Sequence, residues 1–179
     1  MKRKKLIASL VTGLLVFLIS FGIYSYSRIS LDLLTIYATD KDTSSIHQYF
    51  SLLSHKRLSA CPHEQYKPRT SPLSFLVAAM DSERTNTENA REIFYHYLKI
   101  GCDINSEDDT GLTPLHSAIL FKNPTIIVFL LENGADPKYK LRRNLKHAGK
   151  DSYQYLNIIC SKDPTNCKKL RAALKIKNE

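Results

Sequence analysis

The residues best equipped for chemistry in this chain are four cysteines, Cys61, Cys102, Cys160 and Cys167, and six histidines. Cys61, Pro62, His63 and Glu64 place three zinc-ligand types in one short run, as one half of a tetrahedral site would. No paired second motif follows, and His47 and His55 stand at no recognised ligand spacing from it. A loop held by a disulfide accounts for the same residues. His96, between Tyr95 and Tyr97, reads as a packing or surface residue of a helix. There is no glycine-rich phosphate loop, no Gly-x-Ser-x-Gly elbow and no His-Glu-x-x-His helix motif. With no nucleophile, base and orienting group in a recognisable arrangement, the chain is expected to be non-enzymatic, with no metal and no cofactor.

The first element that positions anything is at the amino terminus. Lys2, Arg3, Lys4 and Lys5 precede residues 6–23, eighteen residues without a charge. At about 1.5 Å per residue such a helix reaches roughly 27 Å, close to the hydrocarbon thickness of a bilayer. A cleaved signal peptide is the alternative, but its apolar region is typically shorter and ends in a small-x-small site. Here the run ends in Gly22, Ile23, Tyr24, Ser25 and Tyr26, with tyrosines where interfacial aromatics sit. The expectation is a cytoplasmic stub over 1–5, a transmembrane anchor over 6–24 and a domain over 30–179. Basic residues before the span and only Arg28 close after it orient that domain outward. In a bacterium this places a single-pass protein in the inner membrane with its domain in the periplasm.

The formal charge is +9, of which the first basic cluster supplies four. The remainder is too mildly basic for a nucleic-acid reading. In an oxidising compartment the four cysteines default to disulfides. Cys160 and Cys167 flank a segment containing Pro164 and suit a bridge across a helical turn. Cys61 and Cys102 follow corresponding helices and suit a second.

Beyond the anchor the chain repeats. The run Asp109, Thr110, Gly111, Leu112, Thr113, Pro114, Leu115, His116 continues through residues 126–131 to Gly134, Ala135, Asp136 and Pro137. Thr113 is a natural helix cap and Pro114 suits a first helical turn, since it lacks an N–H that would be unpaired there. Asn123 and Pro124 repeat the device, and Gly134 can take the left-handed conformation that stops a helix. An earlier copy ends at Gly101, 33 residues before Gly134. Its start at Pro72 lies 42 residues before Pro114, so nine extra residues lie between its two helices, and the polar run 81–88 reads as an elongated surface turn.

The motif and its 33-residue period closely resemble the ankyrin repeat. The resemblance implies an all-α solenoid of about four helix pairs, near 31–68, 69–108, 109–141 and 142–179, behind the amino-terminal helix. It implies that His116 is structural, bonding to loop backbone. It also implies a non-catalytic protein-binding role for the concave face, which carries over to Glu107, Asp109, Thr110, Leu112, Leu120, Phe121 and Lys140. Leu120 and Phe121 are either an exposed anchor pair or partly core. Lys138, Lys140, Arg142, Arg143, Lys146 and Lys150 form a run without an acid. Such a run is a solvated face, a steering surface for an acidic partner, or a neighbour of anionic headgroups.

The architecture as a whole resembles membrane-anchored periplasmic immunity proteins, which bind and inhibit toxins such as phospholipases delivered by type VI secretion. The alternative is an ankyrin scaffold or adaptor for a resident envelope complex. In both, the partners are another protein and, through the first helix, the membrane.

Overall fold

The structure is a computed structural model that describes residues 12–14, 16–21, 24, 31–62, 71–144 and 146–175. Within 31–175, the described residues form helices α1 (Leu31–Thr39), α2 (Ser45–Lys56), α3 (Pro72–Asp81), α4 (Thr87–Lys99), α5 (Pro114–Leu120), α6 (Pro124–Glu132), α7 (Ser152–Lys162) and α8 (Cys167–Lys175). There is no strand among the described residues, only an isolated bridge between Asp40 and Thr85.

The caps behave as the residue types require. Thr113 Oγ1 accepts from His116 N at the start of α5, and Asn123 Oδ1 accepts from Ile126 N at the start of α6. Both helices have proline in the first turn. Asp151 and Gln154 form a reciprocal capping box on α7, which satisfies two otherwise orphaned N–H groups.

The two repeat-ending glycines close their helices identically. Gly101 has φ +90° and Gly134 φ +97°. Cys102 N donates to Tyr97 O and Gly101 N to Leu98 O, while Ala135 N donates to Leu130 O and Gly134 N to Leu131 O. This is the Schellman pattern, and its positive φ favours glycine.

Each helix packs on its pair, α1 on α2, α3 on α4, α5 on α6 and α7 on α8. First helices stack in sequence, α3 on α5 and α5 on α7, while α2 meets α4 and α6 meets α8. The core runs through the stack on Leu73, Leu76, Ile93, Phe94, Tyr97, Leu115, Ile119, Ile127, Leu130 and Leu170, all nearly without exposure. Phe129 of α6 meets the rings of Phe94 and Tyr95 of α4 edge-on, a favoured aromatic geometry.

The inserted segment is exposed at Ser82, Glu83 and Arg84, as a surface turn is. The inserted turn is no free loop: α3 runs to Asp81, α4 already includes Thr87 and Glu88, and the residues between are pinned to the end of α1. Lys41 N donates to Arg84 O, Asn86 N to Thr39 O, and Thr85 is buried. These bonds anchor the surface turn to the end of α1. The span expected over 6–24 is described at residues 12–14, 16–21 and 24, all helical, and its other residues lie outside the described ones. Among the described residues no helix is long and apolar enough to cross a membrane.

Candidate binding surface

The loops between repeats are locked sideways to one another. Glu107, 6% exposed, is the main lock. Its carboxylate accepts from the backbone N–H of Arg142 at 2.5 Å and of Arg143 at 2.8 Å, and from Arg143 Nε at 3.3 Å. The Arg143 guanidinium turns back to donate to the carbonyls of Glu107 and Asp108. Asp108 Oδ1 gathers Thr110 N, Thr110 Oγ1 and Leu112 N into a closed turn. Asn144 Nδ2 donates to Thr110 O, and Asn105 Oδ1 accepts from Asp136 N. Gly111, at φ +75°, sits so close to the neighbouring loop that a Cβ there would meet Asn144 N at 2.3 Å. No other residue fits that approach.

This reassigns two residues expected at the partner surface. Glu107 holds loops together, because its carboxylate is consumed by backbone donors. Leu112, 6% exposed, belongs to the core. Asp109, Thr110, Lys138, Lys140, Arg142 and Arg143 are exposed on the loop side, with the Arg142 guanidinium over the Tyr139 ring. Leu120 and Phe121 are 44% and 39% exposed, so neither is buried core.

The repeat register shows where that pair points. With Pro72 and Pro114 both opening their helices, Ala78 and Ala79 of α3 are the counterparts of Leu120 and Phe121. Asp81 and Asn123 keep the same register, and Asn123 Nδ2 donates to Asp81 Oδ1 at 2.9 Å. Ala78 and Ala79 line a groove with Phe75, Ile36, Thr39 and Thr85. The first-helix side therefore carries two apolar features, the groove around Ile36 and Phe75 and the exposed pair Leu120 and Phe121. Counting forward from each proline marks these positions in the sequence. Ile36 of α1 carries no such marker, and sequence reasoning missed it.

Two histidines are buried without exposure. His116 Nδ1 lies 2.7 Å from Thr113 Oγ1, and its ring meets Tyr155 edge-on. Burial lowers its pKa to about 4, against an upward pull from Asp151, Glu107 and the backbone of Lys150 and Asp151. His55 enters the sequence reading only as a rejected metal ligand, since nothing there distinguishes it from a surface residue of α2. Its Nδ1 lies 2.6 Å from Tyr97 Oη and its Nε2 3.3 Å from Thr35 Oγ1. Burial again lowers its pKa to about 4. Both are neutral packing groups that tie one helix pair to the next. His96, half-buried, meets Leu58 O through Nε2.

Cys61 is joined to Cys102 and Cys160 to Cys167. His63 and Glu64 lie outside the described residues. Among the described residues no three His, Cys, Asp or Glu side chains gather as metal ligands. The arrangement offers shape, apolar area and charge, and among the described residues the buried histidines His55 and His116 are engaged in packing.

Comparison with known proteins agrees with this geometry. Residues 97–148 match the family model of ankyrin repeats in many copies. The chain is similar to an ankyrin and IPT/TIG repeat-containing protein of Schizosaccharomyces pombe, 54% identical over 37 residues, covering 21% of this chain and 3% of that protein. It is also similar to an L-asparaginase of Dirofilaria immitis, 37% identical over 75 residues, covering 40% of this chain and 12% of that protein. The chain thus spans only a small fraction of the curated relatives it matches. No solved structure matches it. The stretch whose helices pair and whose loops interlock through Glu107 and Gly111 is thus the stretch that matches the ankyrin-repeat family.

Proposed function

We propose that this chain is a non-catalytic protein-binding module, tethered to the inner membrane by an uncleaved helix over 6–24 with its repeats in the periplasm. Its partner is a secreted toxin, such as a phospholipase delivered by type VI secretion, which it neutralises as an immunity protein. The observation that carries the binding reading is the exposed apolar pair Leu120 and Phe121 at the end of α5. Exposed apolar side chains grouped on one face commonly mark a protein interface.

The tether is supported by the uncharged run after Lys2, Arg3, Lys4 and Lys5. Leu14, Val16, Phe17, Leu18, Ile19, Phe21 and Tyr24 are each more than half exposed, as side chains facing lipid rather than a protein core are. The loop cations Lys138, Lys140 and Arg142 are exposed to solvent. A fixed membrane position outside the cytoplasm serves a protein that must meet an incoming effector before it acts on the envelope.

The test is affinity capture with the full chain, from its own cells and from toxin-bearing competitors. One effector is expected, deletion is expected to sensitise the cell to it, and Phe121→Ala or Lys140→Glu should weaken binding about tenfold. Undiminished resistance of the deletion strain would sink the immunity assignment. Recovery of a resident envelope complex would transfer it to a scaffold.

A further inference from the structure

The charge of this domain is divided along the chain. Residues 31–137 carry nine Lys and Arg against fourteen Asp and Glu, a net of −5, whereas residues 138–179 carry twelve against three, a net of +9. The stack gathers this linear division into one place: the basic segment is the loop after α6 together with α7 and α8, the last described helix pair. Leu170, Ala173 and Leu174 turn inward from α8 onto α6. Lys168, Arg171 and Lys175, three and four residues apart, therefore share the opposite, exposed side of the helix. None of the three forms an ion pair with a described residue.

This cationic face is not uniformly polar. Between α7 and α8 lies a groove of about 230 Å³ with Tyr153, Leu156 and Leu174 as its apolar floor and Asn157, Arg171 and Lys175 at its edge. It has room for one medium-sized aliphatic side chain. The Cys160–Cys167 bridge joins the end of α7 to the start of α8 and fixes the spacing of the two walls.

We propose that the outer face of α7 and α8 docks an acidic segment of the partner protein, with one apolar side chain in the groove and flanking carboxylates on Lys168, Arg171 and Lys175. The proposal rests on the protein-binding reading above and adds to it a second contact surface and the chemistry of the partner. A bilayer of anionic lipid would match the charge but not the groove, whose floor of Tyr153, Leu156 and Leu174 has room for one inserted side chain. For a soluble acidic protein, the exposed cations on this face raise the rate of encounter.

The experiment uses the full chain in neutral detergent micelles. Its probe is a fluorescein-labelled peptide of glutamates with leucine at every fourth position, followed by fluorescence anisotropy. Binding is expected to weaken about tenfold between low and physiological salt, as exposed ion pairs do. It should weaken by at least about tenfold in Arg171→Glu/Lys175→Glu, and similarly when the peptide's leucines become serines. Both substituted residues are exposed, so the fold is expected to stand, and far-ultraviolet circular dichroism verifies this.

Equal affinity for the serine peptide would overturn the proposal, as would binding within twofold of wild type by the doubly reversed variant. So would retention of the chain on phosphatidylglycerol vesicles through these same cations without binding of the peptide. The protein-binding reading fails separately: Leu120→Asp/Phe121→Asp is expected to abolish effector capture and leave the affinity for this peptide unchanged.

Discussion

Glu107 offers the sharpest test of how this solenoid holds its loops, because its sequence position marks it as a contact residue and its surroundings make it a structural one. Glu107→Gln keeps the size of the side chain and removes its charge. In the native loop the carboxylate takes two short bonds from the N–H groups of Arg142 and Arg143 and a third from Arg143 Nε. Hydrogen bonds to a charged acceptor contribute about 1.5–3 kcal/mol each and neutral ones about 0.5–1.5. The amide also turns an NH2 group toward at least one N–H donor. Arg143 is half exposed, so water offsets part of the loss on its side.

The net destabilisation is therefore about 2–3 kcal/mol, a fall in melting temperature of roughly 5–10 °C for a domain of this size. Thermal unfolding followed by circular dichroism reads it directly. A double-mutant cycle with Arg143→Ala should return a coupling of about 1 kcal/mol. A Glu107→Gln variant that melts with the wild type would refute the loop-lock reading and return Glu107 to the partner surface.

Gly111→Ala should destabilise by about 2 kcal/mol or more, since φ is positive and the added carbon overlaps the Asn144 backbone; a variant with unchanged urea midpoint would contradict that contact. His55 and His116 have folded pKa values of about 4, below the ordinary 6.5. Their contribution is thus complete above pH 6.5 and lost as the pH falls toward 4, with roughly 2 kcal/mol per histidine gone at pH 5. Urea midpoints at pH 7.5 and 5.0 measure this, and equal midpoints would exclude two neutral buried imidazoles. The disulfides should differ in weight. Cys61–Cys102 spans 41 residues and Cys160–Cys167 spans 7, so loop entropy assigns them about 4 and about 2 kcal/mol. Melting of the paired serine variants tests the order, and a reversal would implicate native-state strain.

The sequence revealed most where a backbone requirement has few chemical solutions. Thr113 with Pro114, Asn123 with Pro124, and the glycines 33 residues apart marked helix starts and stops, and the helices lie there. It was misleading where one residue type serves two purposes. A carboxylate at a loop tip is contact or lock depending on whether backbone donors from another loop reach it, and the donors for Glu107 come from residues 35 and 36 positions away. The polar insertion near 81–88 was ambiguous for the same reason, since a turn rich in Asn, Thr and Glu can face water or pin a neighbouring helix. Leu112 shows the opposite error, because an apolar residue beside a loop motif is core whenever the loop folds over it.

Loop locking bears on how such a surface can bind. Because Glu107, Asp108, Gly111 and Asn144 fix the loops to one another, the exposed side chains around them lose little backbone freedom when a partner arrives, and a rigid surface avoids that entropic cost. Much the same holds at the terminal face, where the Cys160–Cys167 bridge sets the spacing of α7 and α8. The two surfaces divide the labour of recognition. The exposed pair Leu120 and Phe121 offers apolar area, which governs residence time, whereas the exposed cations of α8 govern encounter rate and its dependence on salt. A partner that uses both must therefore present an apolar patch and an acidic segment set apart by about the thickness of one repeat.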